Sequence, residues 1–185
     1  MRECSFNDLI GMKTLIVGDV GAGKTTLTRR LLLEAVDQIN DVITVLDFAP
    51  PAQKVKGMEV GGYLLEERHP RIRYLYSRLI KTPRLSAEDG EELIRLAGFN
   101  REITDSLIAK YLDSPTGTLF LNDVSIHLQQ GNLKELLDAM KNAYTVVANG
   151  YMGFKLKPDH GSGVSKRESF MMRRLAAGMD RVIDL

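Results

Sequence analysis

Gly18-Asp19-Val20-Gly21-Ala22-Gly23-Lys24-Thr25 fits the spacing G-x-x-x-x-G-K-[ST] at every fixed position. Residues 12–17 before it (Met-Lys-Thr-Leu-Ile-Val) form a short apolar run suited to a buried strand. Residues 25–36 after it place Leu27, Leu31 and Leu32 on one helical face. Strand, glycine loop and helix therefore follow in the order that cradles phosphate. Gly18, Gly21 and Gly23 let the backbone turn so that successive N–H groups point inward, and the following helix adds its free N–H groups and dipole. In this spacing Lys24 reaches the β and γ phosphates and Thr25 places a hydroxyl on Mg²⁺. The loop from Gly18 to Thr25, Asp19, Val20 and Ala22 included, is thus the candidate nucleoside triphosphate site. The alternative, a glycine-rich turn that binds nothing, does not account for the flanks.

The remaining composition excludes more than it suggests. The chain has 185 residues, 44% of them hydrophobic, and a formal charge of +1. That is enough for one substantial core, and the balance of charge gives no argument for nucleic acid. Cys4 is the only cysteine, so no disulfide framework or C-x-x-C metal site is expected, and a reducing compartment fits. No apolar stretch approaches the length of a membrane span, and the first residues lack the apolar core of a signal peptide. The expected location is the cytoplasm.

Further along, apolar runs alternate with helical patterns, which predicts a doubly wound, mostly parallel α/β sheet with helices on both faces, in one domain over 1–185. The expected strands after the loop are 42–46, 72–76, 118–121, 144–148 and 181–185. The segment from about 52 to 117 is long enough for a helical and basic insertion. Ser165-Lys-Arg-Glu168 predicts a capping box opening a helix that ends near Gly178, and Ser86-Ala-Glu-Asp89 a weaker one opening a helix that closes near Gly98.

Two carboxylates compete for the chemistry. Thr118-Leu-Phe-Leu-Asn-Asp123 carries Asp123 out of the core at a strand's C-terminal end, where open α/β sheets bind ligands, and next to the loop it suits a magnesium water shared with Thr25. A helix cap or turn aspartate is the plain alternative. Asp47 ends the strand after the loop helix, in Leu-Asp47-Phe-Ala-Pro-Pro.

On the loop and these strand ends, the chain resembles the P-loop NTPase superfamily, closely at 12–36 and less so at 42–51 and 118–123. The resemblance implies a hydroxyl from Thr26 near the α phosphate. Asp47 and its neighbours also resemble the strand end of the nitrogenase-iron-protein and septum-positioning class, which implies Asp47 as catalytic carboxylate and Asp123 as the metal one. That class has a second lysine directly after the first loop glycine, where this chain has Asp19. Residues 144–149 end in Asn149-Gly-Tyr, which resembles the start of the Asn-Lys-x-Asp base-reading turn without its lysine and aspartate. ATP is therefore expected over GTP, and Asn149 either contacts an adenine edge or ends the strand.

Arg68, Arg71, Arg73, Arg78, Lys81 and Arg84 crowd together around Tyr74 and Tyr76 with no acidic residue between 68 and 87. This run reads as a solvated or lid-like face. The functional alternatives are a surface for a phosphorylated substrate, a protein partner or a nucleic-acid backbone, or the source of an arginine for the γ phosphate. His69, His127 and His160 make no metal spacing, so no zinc site is expected. The polar loop 155–163 either borders the base or simply connects. The expected activity is a Mg²⁺-dependent ATPase using Lys24, Asp47 and Asp123. A kinase passing the γ phosphate to a small molecule or polynucleotide, and a nucleotide-gated binding module with little turnover, are the alternatives.

Overall fold

The computed structural model describes residues 4–55, 57–156 and 159–185. After a short 3-10 turn at Phe6–Leu9 come β1 (Lys13–Gly18), α1 (Lys24–Gln38) and β2 (Ile43–Asp47). They are followed by β3 (Gln53–Val55), β4 (Met58–Val60), β5 (Ile72–Tyr76), α2 (Pro83–Ser86) and α3 (Gly90–Leu112). The chain ends with β6 (Thr118–Asn122), α4 (Val124–Leu128), α5 (Leu133–Lys141), β7 (Thr145–Tyr151), α6 (Val164–Ala177) and β8 (Arg181–Asp184).

Six strands form one sheet in the order β5-β2-β6-β7-β1-β8, every neighbouring pair parallel, and β3 and β4 make a separate antiparallel hairpin. Side chains alternate across a strand, and both faces of the central strands are apolar. Leu15, Val17, Leu46, Leu119, Leu121, Val146 and Ala148 enter a core with residues of α3, α4, α5 and α6. Their neighbours Ile16, Val45, Phe120 and Val147 enter a second core with Leu31, Leu32 and Ala35 of α1 and with Phe6 and Leu9. Helices on both faces of a parallel sheet are the doubly wound arrangement. Among the described residues no helix is long and apolar enough to cross a membrane.

The segment 52–117 holds the hairpin, a strand of the main sheet and a 23-residue helix, α3. Because β5 pairs with β2, part of this segment belongs to the sheet itself. Two helix starts differ from expectation. Asp89, not Ser86, caps α3 by accepting from Glu92 N–H at 2.8 Å, and the helix runs through Gly98 to Leu112; one glycine costs only about 1 kcal/mol in a helix that buries Leu93, Ala97, Leu107 and Ile108. Gly163, at φ 77°, precedes the first residue of α6, so Ser165 lies inside the helix and makes no cap. Glu168, expected to complete a capping box, is instead buried. Strand β7 also continues past Ala148, through Asn149 to Tyr151.

Parallel pairing brings the carboxyl ends of the strands to one edge. Gly18 lies opposite Tyr151 and Asp47 opposite Asn122. Strand β6 is not the neighbour of β1, because β7 lies between them. Asp123 therefore approaches the glycine loop across the end of β7.

Candidate functional site

Strand β1 delivers Gly18 to the carboxyl edge, and the chain turns through Gly21 (φ 77°) and Gly23 (φ 93°) into α1. Both angles lie in the left-handed region, which a Cβ disfavours. Gly23 supplies no side-chain cap, which leaves N–H groups of the first turn open to an anion. Lys24 Nζ donates to the carbonyl oxygens of Gly18 at 3.0 Å and Asp19 at 2.7 Å, and sits 5.9 Å from the centre of the Tyr151 ring. Burial pushes the Lys24 ammonium below its ordinary range, opposed by the carboxylates of Asp123 and Asp19.

Asp19, inside the glycine loop, has a defined structural role. Its Oδ1 accepts from Val20 N–H (2.7 Å), and its Oδ2 accepts from the N–H groups of Phe154 (2.9 Å) and Lys155 (3.3 Å). Desolvation raises its pKa, but these N–H groups and the Lys155 ammonium outweigh it and hold the carboxyl below the usual range. A Cβ on Gly153 would stand 2.5 Å from Asp19 Cγ, so the backbone approach needs glycine there. Asp19 thus ties the segment after β7 to the loop.

Asp123 follows β6 in the left-handed conformation, φ 54°, unusual for a residue other than glycine. Its carboxylate accepts from Ser125 Oγ, and its N–H donates to Asn149 Oδ1 at 2.9 Å. Desolvation raises its pKa, against the pull of Ser125, Lys24 and Arg84. Asn149 is buried, and its Nδ2 donates to Thr28 Oγ1 and Asn122 Oδ1, both at 2.9 Å. The amide stitches β7 to β6 and α1 and sets the turn of Asp123.

Asp47 has a different environment. It is fully buried, and its oxygens accept from Ala49 N–H (3.1 Å), Leu64 N–H (2.9 Å), Asn122 Nδ2 (2.8 Å) and Tyr74 Oη. Burial raises its pKa to about 6 against these four donors. It fixes the ends of β2, β5 and β6 beneath the site, and it is not among the residues that line the cavity described next.

A cavity of about 790 Å³ opens over this edge, within the usual size range of small-molecule sites. Val20, Gly21, Gly23, Lys24, Thr25 and Thr26 form one wall, and Asn122, Asp123 and Asn149 lie at the strand ends. The opposite wall comes from Pro50, Gln53, Lys54 and Gly62 and from residues 82–85. Arg84 belongs to this wall and is 5% exposed. It pairs with Glu168, donates to Leu156 O at 2.9 Å, and lies 5.1 Å from the Tyr151 ring centre. Glu168 also accepts from Gln129 Nε2 at 2.8 Å.

The basic run is accordingly dispersed. Arg71 donates to Ile39 O, Arg73 lies over the Tyr111 ring, Tyr74 serves Asp47, and only Arg84 turns into the cavity wall. In the sequence Arg84 belongs to a run read as a solvated or lid-like face, Glu168 carries only a capping role, and Ser125, Gln129 and Tyr151 carry no assigned role. The acid-free stretch around Arg84 was the one signal, and its buried partner Glu168 lies 84 residues away. In the loop 155–163, Leu156 lines the cavity, while residues 157 and 158 lie outside the described residues.

Comparison with protein-family models and with curated proteins finds no match to this chain.

Proposed function

We propose that this chain is a Mg²⁺-dependent ATP-binding protein that hydrolyses the β–γ phosphoanhydride bond. The observation that carries this reading is the common cavity: glycine loop, Lys24, Thr25 and Asp123 all open on the same space. Loop amides and α1 hold the β and γ phosphates, and Lys24 leaves its backbone acceptors to reach them. The hydroxyl of Thr25 and the carboxylate of Asp123 are hard oxygen donors of the kind Mg²⁺ takes. Thr25 and Asp123 would hold such an ion where it would neutralise charge on the β and γ oxygens. A water oxygen forms the new bond to Pγ as the bridging oxygen to Pβ leaves with ADP; one proton of that water stays on the phosphate product and the other passes to solvent. In this reading Asp47 acts at one remove, by fixing Asn122 and the strand ends.

A second reading draws on the opposite wall. The cavity continues past the loop to Gln53, Lys54 and Thr82, space that suits an acceptor hydroxyl, so γ-phosphate transfer is the alternative to hydrolysis. The test is turnover of γ-labelled ATP, and of GTP in parallel, by wild type and Lys24→Ala. Free labelled phosphate that vanishes in the variant supports hydrolysis, and label on an acceptor supports a kinase. Binding without turnover moves the account to a nucleotide-gated module, and absence of binding by either nucleotide overturns it.

A further inference from the structure

One turn beyond Asp123, on the side of α4 away from the cavity lining, His127 meets Asp105 of α3 and Glu135 of α5. His127 is fully buried against Phe48, with ring centres 5.9 Å apart. Asp105 Oδ1 lies 3.7 Å from His127 Nδ1, is itself buried, and accepts no hydrogen bond from the described residues. Its other oxygen is taken by Arg101 Nε at 3.2 Å. Glu135 is exposed, and one ligand atom from each of the three residues lies within 4.8 Å of the others.

Proton counting shows why this corner is unusual. The two ring nitrogens of His127 meet different partners. Nε2 lies 3.3 Å from the carbonyl oxygen of Asn132, an acceptor only, which places the proton on Nε2. The lone pair of Nδ1 then faces Thr104 Oγ1 at 2.8 Å and Asp105 Oδ1. Thr104 has one proton for two acceptors, because its hydroxyl also lies 3.0 Å from Arg101 O. Nδ1 therefore has the Thr104 hydroxyl as its one possible donor, and the Asp105 oxygen beside it has none among the described residues.

The geometry points to a divalent transition-metal site, with zinc as its type ion, formed by His127 Nδ1, Asp105 Oδ1 and a Glu135 carboxylate oxygen. Tetrahedral ligands at about 2.0–2.1 Å stand about 3.3–3.4 Å apart, close to the 3.7 Å between Nδ1 and Oδ1. Glu135, exposed on the first turn of α5, closes the third side by a rotamer change, and water takes the fourth position. The Nε2–H bond to Asn132 is the outer contact that orients a metal-binding histidine. An imidazole in the set favours zinc over magnesium, which separates this site from Thr25 and Asp123. The ion would join α3, α4 and α5, and so brace the helix that begins directly after Asp123.

The experiment is calorimetric titration of chelator-treated protein with zinc chloride in excess Mg²⁺, in a Cys4→Ser background that removes the only thiol. Absorption of the Co²⁺ form reports the geometry. One ion per chain is expected, with tetrahedral Co²⁺ bands. Glu135→Gln, an exposed change that leaves the fold intact, should weaken binding at least tenfold, as should Asp105→Asn. No zinc binding by the folded protein, or binding unaltered in both variants, overturns the site and leaves His127 as a core residue held by Thr104 and Asn132.

Discussion

Replacing Arg84 by methionine removes one half of an ion pair whose side chains are only 5% and 3% exposed. Among the described residues Glu168 would keep a single donor, Gln129 Nε2 at 2.8 Å, for a carboxylate that is almost wholly buried. Breaking a buried pair from one side costs about 3–5 kcal/mol, because the remaining charge is uncompensated. For a chain of this size each kcal/mol shifts the midpoint by roughly 2–4 °C, so Arg84→Met should lower it by about 6–20 °C. Arg84 also holds Leu156 O and the Tyr151 ring, which places the expected loss toward the upper half. Glu168→Leu, which strands the guanidinium, should cost a comparable amount. The double variant removes both charges and should recover half or more of the summed loss, since an apolar replacement of a buried pair is often near neutral. Thermal and urea unfolding of the four proteins form a double-mutant cycle. Single losses below about 1 kcal/mol that add within about 0.5 kcal/mol would refute the reasoning and mean that water reaches the pair.

Asp47 gives a pH test with a definite sign. Its carboxyl is raised from 3.8 to about 6, so its contribution to stability is fully present below pH 3.8 and is lost as pH rises through about 6. Measured against Asp47→Asn, wild type should lose about 3 kcal/mol between roughly pH 4 and 7; a constant difference would show that the four donors hold the carboxylate ionised throughout. Asp19→Ala frees Phe154 and Lys155 N–H groups, so hydrogen exchange should speed at those two amides and stay unchanged in β1; unaltered exchange there would remove the tether. Asp123→Asn should abolish the Mg²⁺ dependence of nucleotide binding while metal-free nucleotide still binds. Because burial raises the Asp123 carboxyl, Mg²⁺ affinity in the wild type should weaken as the solution is made more acidic, and an equal pH profile in both proteins would count against Asp123 as metal ligand.

The frame of the fold was readable because apolar runs such as Thr118–Asn122 are short, continuous and bounded by polar residues, the mark of strands buried on both faces. Strand order was not, since whether β7 or β6 lies beside β1 is decided by crossovers and not by any local pattern. Caps were misread where two signals compete: Asp89 offers a carboxylate three residues before the N–H of Glu92, and Ser165 lost to Gly163, whose left-handed turn already starts the helix. At the candidate site, the glycine loop stands out because its pattern lies in eight consecutive residues. Glu168 and Arg84, Asp19 and Phe154, and His127 with Asp105 and Glu135 were not, because each grouping joins residues far apart in the chain through tertiary contacts.

The central claim is that the glycine loop takes the phosphates of a nucleoside triphosphate. Calorimetric titration of wild type and Lys24→Ala with ATP in excess Mg²⁺ tests it most directly. The account predicts saturable binding of one ATP per chain that is lost or greatly weakened in the variant. Absence of binding by the folded wild type at millimolar ATP, with GTP equally inert, would contradict it and leave the loop a structural turn between β1 and α1.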